Sequence, residues 1–286
     1  MSKNLNFDRF AFISDLFPFI QKYVGSTFII KYGGSVMQDE FLKYKVIEDI
    51  AFLYSLGIKI ILVHGGGPFI NQWLSKLNIQ PRFDNGIRLT DRSTMEIVEM
   101  VLVGQVNKDL VNLLNQNTVP AIGLCGKDSN LIMASPLFNK SENLVGKIDS
   151  INNKILNLLL NNNYIPVIAS VASGLDNQTY NVNADTVAGA IAQSLKAEKL
   201  ILLTDTPGVM LDINDSSSLI KNLNFSDVQR LKQNLVISGG MIPKVDCCIN
   251  ALNGHVKSTH IIDGRIKNAL LHELLTLDRI GSRIVL

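Results

Sequence analysis

The sequence predicts an open three-layer α/β/α sandwich with a mostly parallel central sheet. Three observations carry this. Short aliphatic runs such as Ile58-Lys59-Ile60-Ile61-Leu62-Val63 and Leu200-Ile201-Leu202-Leu203 read as strands buried on both faces. Glycine turns followed by segments of helical length come after several of these runs, and strand–turn–helix is the grammar of a parallel sheet. Hydrophobic residues make up 47% of the 286-residue chain against 18% charged, ample material for one large core.

The elements follow in order. Residues 8–22 carry the apolar stripe Phe10, Ile13, Phe17 and Ile20 at helical spacing, and Pro18 predicts a kink or restart inside it. Strand 28–31 ends in Gly33-Gly34-Ser35. Helix 39–56 is stopped by Gly57. Strand 58–63 ends in His64-Gly65-Gly66-Gly67-Pro68, and a helix covers 69–77. A hairpin or loop at 81–90, a long helical region at 91–116 and a strand at 119–124 come next. A polar, strand-like excursion runs to about residue 150. Helix 152–162, strand 165–169, helix 186–195, strand 200–203, helices near 226–233 and 242–252, strand 257–262 and helix 266–275 complete the chain. Two lobes are expected, 25–195 and 196–286, sharing one sheet and preceded by an N-terminal segment, 1–24.

Composition narrows the function. Lys plus Arg number 27 and Asp plus Glu 25, so the formal net charge of +2 disfavours a nucleic-acid binder. Cys125, Cys247 and Cys248 are three, two of them adjacent, which suits a reducing compartment rather than a disulfide scaffold. With no C-x-x-C or H-E-x-x-H, no protein-held metal is expected. No apolar run approaches the ~18 residues of a membrane span, and the N-terminus has neither signal nor transit character, so no membrane association is expected.

Open parallel sheets bind ligands outside the carboxyl ends of their strands. Three such ends are loaded here: Lys31-Tyr32-Gly33-Gly34, His64-Gly65-Gly66-Gly67 and Asp205-Thr206-Pro207-Gly208. Glycines let backbone N–H groups come close to an anion; tight turns alone are the plainer explanation of any one of them. Known glycine signatures fail. Gly123-Leu124-Cys125-Gly126-Lys127-Asp128 has the wrong spacing for a P-loop, Ile70 stands where a dinucleotide fingerprint needs its last glycine, and His-Gly-Gly-Gly has no G-x-S-x-G nucleophile to serve. Beside the loops, Lys31 ends a buried strand, where it either meets an anion or snorkels to an edge. Arg88 either forks onto a carboxylate or makes a surface salt bridge. Asp185 opens a helix, ordinarily a capping or dipole device. Lys244 sits at a helix N-terminus against the macrodipole, which a bound anion would compensate.

On these segments the chain resembles the amino-acid kinase family, specifically its branch that phosphorylates N-acetyl-L-glutamate. The matching stretches are Ile30-Lys31-Tyr32-Gly33-Gly34, Val63-His64-Gly65-Gly66-Gly67-Pro68, Asn85-Gly86-Ile87-Arg88, Asn181-Val182-Asn183-Ala184-Asp185, Leu203-Thr204-Asp205-Thr206-Pro207-Gly208-Val209 and Gly239-Gly240-Met241-Ile242-Pro243-Lys244-Val245. They occur in order over nearly the whole chain. The resemblance implies an amino-acid kinase-like fold and a phosphotransferase with a carboxyl acceptor, acting in the second step of arginine biosynthesis. It implies Lys31 and Lys244 as transition-state lysines oriented by Asp185, and Gly66, Gly67, Arg88 and Asn181 around acetylglutamate. It implies Gly33, Gly34, Thr204, Asp205, Gly208, Val209, Gly239, Gly240 and Met241 around ATP, with Mg2+ carried mainly by the phosphates. The C-terminal pattern implies feedback inhibition by arginine at His260, Glu273 and Gly281. In arginine-sensitive members an N-terminal helix joins dimers into a hexamer, a trimer of dimers. The 123–128 and 240–248 stretches look like cyanobacterial and plastid forms, which a PII-type signal protein binds. That implies the plastid stroma for a plastid-encoded chain, or otherwise bacterial cytoplasm. Two rivals stay open: a family kinase for carbamate, aspartate or a nucleoside monophosphate, and a non-catalytic metabolite sensor.

Overall fold

The computed structural model describes residues 9–84, 86–138 and 143–286. Helix α1 (Arg9–Tyr23) leads into β1 (Thr27–Tyr32), α2 (Glu40–Ser55), β2 (Lys59–His64) and α3 (Gly67–Lys76). The hairpin β3 (Arg82–Asp84) and β4 (Ile87–Leu89) precedes α4 (Arg92–Glu99), a π-helical stretch Met100–Val106 and α5 (Asn107–Gln116). Then come β5 (Ala121–Cys125), β6 (Ile132–Pro136), β7 (Gly146–Ile151), α6 (Lys154–Asn161), β8 (Ile165–Ala169), β9 (Val171–Ser173), β10 (Thr179–Asn181) and α7 (Ala184–Ser194). Strand β11 (Lys199–Thr204), β12 (Asn222–Leu223), α8 (Phe225–Gln233), α9 (Met241–Asn253), β13 (Ser258–Asp263), α10 (Ala269–Leu275) and β14 (Ser282–Ile284) close the chain.

Eight strands form one sheet in the order β12-β14-β13-β11-β1-β2-β8-β5. Every pairing in it is parallel except β13 with β14. Strand β1 lies at its centre, Ile30 opposite Ile201 on one side and Leu62 on the other. The sheet is therefore continuous across the boundary at residue 196. Period-two alternation divides the core. Phe28, Ile30 and Tyr32 join Ile60, Leu62, Ile201 and Leu203 in the cluster under α2, α3, the π-helical stretch, α5 and α10. Ile29 joins Ile61, Val63, Leu200 and Leu202 in the cluster under α6, α7, α8 and α9. Lys31 has the parity of Ile29, so its side chain leaves the strand on the α7/α9 side. Strands β6, β7, β9 and β10 form a separate four-stranded sheet.

One sequence expectation is corrected. Pro18 neither ends nor restarts α1, which runs unbroken through it. Proline removes only its own N–H from the ladder, and bonding resumes after it, Val24 N–H reaching the Ile20 carbonyl at 3.0 Å. On α1, the stripe that the sequence offers for packing against another surface is described at Phe17 and Ile20 only. Phe17 is exposed, while Leu16, Phe19 and Tyr23 pack inward; the Phe10 and Ile13 side chains lie outside the described residues. The antiparallel β14 and the short β12 had no sequence signal, being too brief for a periodic pattern.

A carboxyl group joins α2 to α10. Asp49 is buried and accepts the Leu270 N–H at 3.2 Å, satisfying a donor in the first turn of α10, while its other oxygen has no partner among the described residues. Burial pushes its pKa up to about 7, against the opposing pull of the Leu270 and Leu271 amides. A carboxyl raised on folding binds its proton more tightly in the native state, so its contribution to stability falls as pH rises from the unfolded value of 3.8 through about 7. Asp49→Asn keeps the acceptor and removes the titration. The variant's urea midpoint should therefore decline less than the parent's between acidic pH and pH above neutrality; an unchanged pH slope would exclude Asp49 as its source.

Candidate active site

The carboxyl edge of the sheet gathers the predicted residues. Lys31 reaches the edge from β1. Asp185 is the second residue of α7, whose N-cap Asn183 accepts the Asp185 and Thr186 amides at 2.8 and 3.2 Å. Lys244 lies in the first turn of α9. The three meet: Lys31 Nζ is 2.9 Å from Asp185 Oδ1, an ion pair off the hydrogen-bond axis, and Lys244 Nζ donates to Oδ2 at 3.2 Å. All three side chains are largely buried. Burial would raise the Asp185 pKa, but the two ammonium groups outweigh it and hold the carboxyl below its ordinary range. The anion that Lys244 needs against the α9 dipole is thus supplied by the chain itself. Two cations and one carboxylate leave one net positive charge at the mouth of the sheet. Cys247, one turn beyond Lys244, donates its thiol to the Asp185 carbonyl at 3.0 Å and ties α9 to α7; burial pushes that thiol's pKa well up.

The glycine turns interlock. The Gly33 N–H donates to the Leu203 carbonyl at 3.0 Å, and the Gly65 N–H to the Tyr32 carbonyl at 3.1 Å. A Cβ on Gly34 would stand 2.9 Å from Pro68 Cδ, 3.0 Å from the Gly67 nitrogen and 3.1 Å from the Gly66 nitrogen. Only glycine leaves these amides open, and both belong to the start of α3, where N–H groups lack intrahelical acceptors.

Arg88 rises from β4 and is buried. Nη2 donates to Asn71 Oδ1 at 2.6 Å and to the Gly67 carbonyl at 3.4 Å, and the guanidinium stacks on Phe83 with 4.8 Å between its carbon and the ring centre. Nη1 is buried without a partner among the described residues. Burial lowers the Arg88 pKa. Asn181 is tied to the same strand, donating to Thr90 Oγ at 3.1 Å, while that hydroxyl donates to the Arg88 carbonyl at 3.0 Å. Asn85, in the same turn, lies outside the described residues.

Across the edge, Thr204 ends β11 and its hydroxyl donates to Asp205 at 3.2 Å. Burial raises the Asp205 pKa, but bonding from Ser35 and the nearby Lys244 charge leave it below the ordinary range. The loop at Gly208 (φ +147°) packs so closely on Ser282 that a Cβ there would meet its hydroxyl at 2.5 Å, and the Val209 N–H donates to that hydroxyl at 2.8 Å. Gly239, Gly240 and Met241 lead into α9 and Lys244. Among the described residues no group of three or more His, Cys, Asp or Glu is placed to share a metal ion.

His260, Glu273 and Gly281 form a second cluster. His260 Nδ1 donates to Glu273 Oε1 at 2.7 Å, and Oε2 accepts the Ile280 and Gly281 amides at 3.1 and 2.9 Å. Burial lowers the His260 pKa to about 4. Sequence reasoning missed Lys199 here: its Nζ donates to His260 Nε2 at 3.3 Å and lies 4.8 Å from the Tyr23 ring centre. Burial lowers its pKa to about 8. A lysine within a buried strand was the signal that singled out Lys31, and it applies equally to Lys199.

Paired lysines held by one carboxylate beside open backbone amides have the positive charge and donors that phosphoryl transfer between anions requires. A model of the amino acid kinase family matches residues 26–263, and the chain belongs to that family. It is 61% identical over 282 residues to the acetylglutamate kinase of Gracilaria tenuistipitata var. liui, covering 98% of this chain and 99% of that protein. It is 52% identical over 278 residues to the acetylglutamate kinase of Thermosynechococcus vestitus, covering 97% and 94%. This chain is accordingly an enzyme, a kinase. In fold it matches the N-acetylglutamate synthase of Neisseria gonorrhoeae complexed with coenzyme A and N-acetyl-glutamate, with TM-score 0.86 and 24% identity. That match covers 97% of this chain but 63% of the synthase chain. No described helix is long and apolar enough to cross a membrane.

Removing one member of a buried ion cluster strands the others, at a cost of about 3–5 kcal/mol. Asp185→Asn leaves two ammonium groups facing each other and should lower unfolding stability by about that order in urea titrations; an undiminished midpoint would mean the lysines turn out to solvent.

Proposed function

We propose that this kinase transfers the γ-phosphoryl group of ATP to the γ-carboxylate of N-acetyl-L-glutamate, giving the acyl phosphate of arginine biosynthesis and ADP. The observation that carries the reading is the Lys31–Asp185–Lys244 cluster. The acceptor carboxylate, with a pKa of ~4, is already ionised at neutral pH, so no general base is required. What the reaction requires is that two anions be held together and that charge on the phosphoryl group be met. Lys31 would lie between the attacking oxygen and the phosphorus, and Lys244 would follow the β–γ bridging oxygen as its bond to phosphorus breaks and the carboxylate's forms. Asp185 keeps the two lysines on their axis. Amides of the Gly33–Gly34 and Gly66–Gly67 turns would take equatorial oxygens.

The unpaired Nη1 of Arg88 supports a clamp on the substrate's α-carboxylate, with Asn181 beside it and Gly66 and Gly67 beneath. This favours a small dicarboxylate over carbamate or a nucleotide acceptor. The lysine pair argues against a bare sensor. The nucleotide would lie along Thr204, Asp205, Gly208, Val209, Gly239, Gly240 and Met241. Mg2+ would arrive on its phosphates, because both Asp185 oxygens face lysines and no carboxylate cage stands beside them. Trapping acyl phosphate with hydroxylamine, from ATP, Mg2+ and candidate acids, tests the reading; a hydroxamate from carbamate or none from N-acetyl-L-glutamate would overturn it.

Arginine is the proposed feedback effector, at the His260–Glu273–Gly281 cluster with Lys199 and Tyr23 beside it. Arg279 Nε already lies 3.9 Å from Glu273 Oε1, so an effector guanidinium would compete for that oxygen. Ser282, next to Gly281, holds the Val209 amide, which supports communication with the nucleotide loop. A hexamer built through α1, a PII-type partner and a plastid-stroma or bacterial-cytoplasm setting complete the proposal; the red-algal and cyanobacterial relatives support the setting.

Three outcomes are expected. Lys244→Ala should lower kcat more than ~100-fold, as loss of a transition-state donor does, with little change in acetylglutamate affinity. Arg88→Lys should raise KM for acetylglutamate more than for ATP, because a point charge does not replace a bidentate fork; a larger rise for ATP would put Arg88 on the other substrate. Deleting residues 1–24 should give active dimers that ignore arginine, read by light scattering and inhibition curves. Hexamers that survive the deletion would rule out α1 as the joint.

A further inference from the structure

His64 is fully buried at the end of β2, next to the glycine turn, and the phosphoryl-transfer scheme above makes no use of it. Its ring is bonded on both sides. Nδ1 lies 3.0 Å from the Gly65 carbonyl oxygen, which only accepts, so Nδ1 carries the proton. Nε2 lies 3.1 Å from Asn107 Nδ2, and the same amide group donates to the Val167 carbonyl at 2.9 Å. That second bond orients the Asn107 amide, since its oxygen cannot face a carbonyl; Asn107 Oδ1 is accordingly left buried without a partner among the described residues. Nε2 of His64 can then only accept. Burial lowers the ring's pKa to about 4, so it stays neutral across the neutral range.

The consequence lies in the next peptide. In a trans peptide the C=O and N–H point in opposite directions. Fixing the Gly65 carbonyl against His64 therefore turns the Gly66 N–H the other way, toward the Gly34 turn, where the Gly66 and Gly67 nitrogens both stand near 3 Å from the place a Gly34 Cβ would fill. Asn107 reaches the ring because the preceding seven residues, Met100–Val106, are π-helical, which delays the helix and changes its face. The same stretch presses Leu102 under Gly66, 2.5 Å from the position of a Cβ there.

We propose that His64, held as the Nδ1-protonated neutral tautomer by Asn107, is a positioning residue that aims the Gly66 amide at the phosphoryl group, and that the π-helical stretch exists to deliver Asn107 to it. It moves no proton. The proposal rests on the phosphoryl-transfer reading above.

Nitrogen-15 NMR of the full-length chain labelled at histidine reads the tautomer directly. A protonated Nδ1 and a bare Nε2, unchanged between about pH 5.5 and 8, are expected where a free imidazole would titrate near 6.5. An Nε2-protonated ring, or one that titrates in that interval, would overturn the proposal. His64→Leu should lower kcat for hydroxamate formation about 100-fold, as loss of one aligned donor does, with both KM values little changed. His64→Asn, which places an N–H near the Nδ1 position, should restore most of that loss although it gives up the Asn107 bond. Equal loss in both variants, or KM effects larger than kcat effects, would reduce His64 to a packing role. Absence of hydroxamate from the unmodified chain would defeat the functional reading itself, whereas an active parent with an indifferent His64→Leu defeats only the positioning role.

Discussion

One carboxylate holds the site together. Asp185 lies between two ammonium groups that reach it from different parts of the chain, Lys31 from the central strand and Lys244 from a helix more than two hundred residues later. A buried charge is tolerated only when it is paired, and here each partner makes the others possible. Without Asp185 the lysines would repel, and without them burial would neutralise the carboxyl. The helix starts are arranged around the same point. The α7 dipole favours Asp185, while the α9 dipole opposes Lys244 and is offset by Asp185. The Cys247 thiol on the Asp185 carbonyl secures the approach of the two helices.

Around this cluster the open donors are mostly neutral. The glycine turns contribute backbone amides, which carry no counter-ion. Arg88 is the exception. It is a buried cation whose Nη2 is committed to Asn71 and Gly67 and whose Nη1 has no partner among the described residues. The contrast between committed and open groups recurs at His64, where both ring nitrogens are used.

The His260–Glu273–Lys199 cluster follows a different rule. Its groups are saturated: each Glu273 oxygen has a partner, and His260 is bonded at both nitrogens. A saturated cluster changes state only by exchanging partners, and Arg279 Nε, 3.9 Å from Glu273 Oε1, lies next to one of them. Its link to the loop at Gly208–Val209 runs through a single backbone step, Gly281 to Ser282.

By itself the sequence determined the parallel α/β architecture, because aliphatic runs broken by glycine turns leave few alternatives. It also marked Lys31 and Lys244 as residues whose surroundings conflict with their charge, while Asp185 by itself read as a capping device. Local pattern suffices where the conflict is local: a lysine in a buried strand, or a lysine at a helix start. Which partner resolves each conflict was decided only by tertiary structure. Strand parity aimed Lys31 at α7, and the packing of α9 on α7 brought Lys244 to the same carboxylate. Nothing in Asn107, Asp49 or Lys199 announced its partner, since each bonds across 43 or more positions of sequence. Nor did the spacing of Phe10, Ile13, Phe17 and Ile20 disclose that α1 turns Leu16, Phe19 and Tyr23 inward. Apolar periodicity says that a helix has a buried side; the surface it meets decides which side that is.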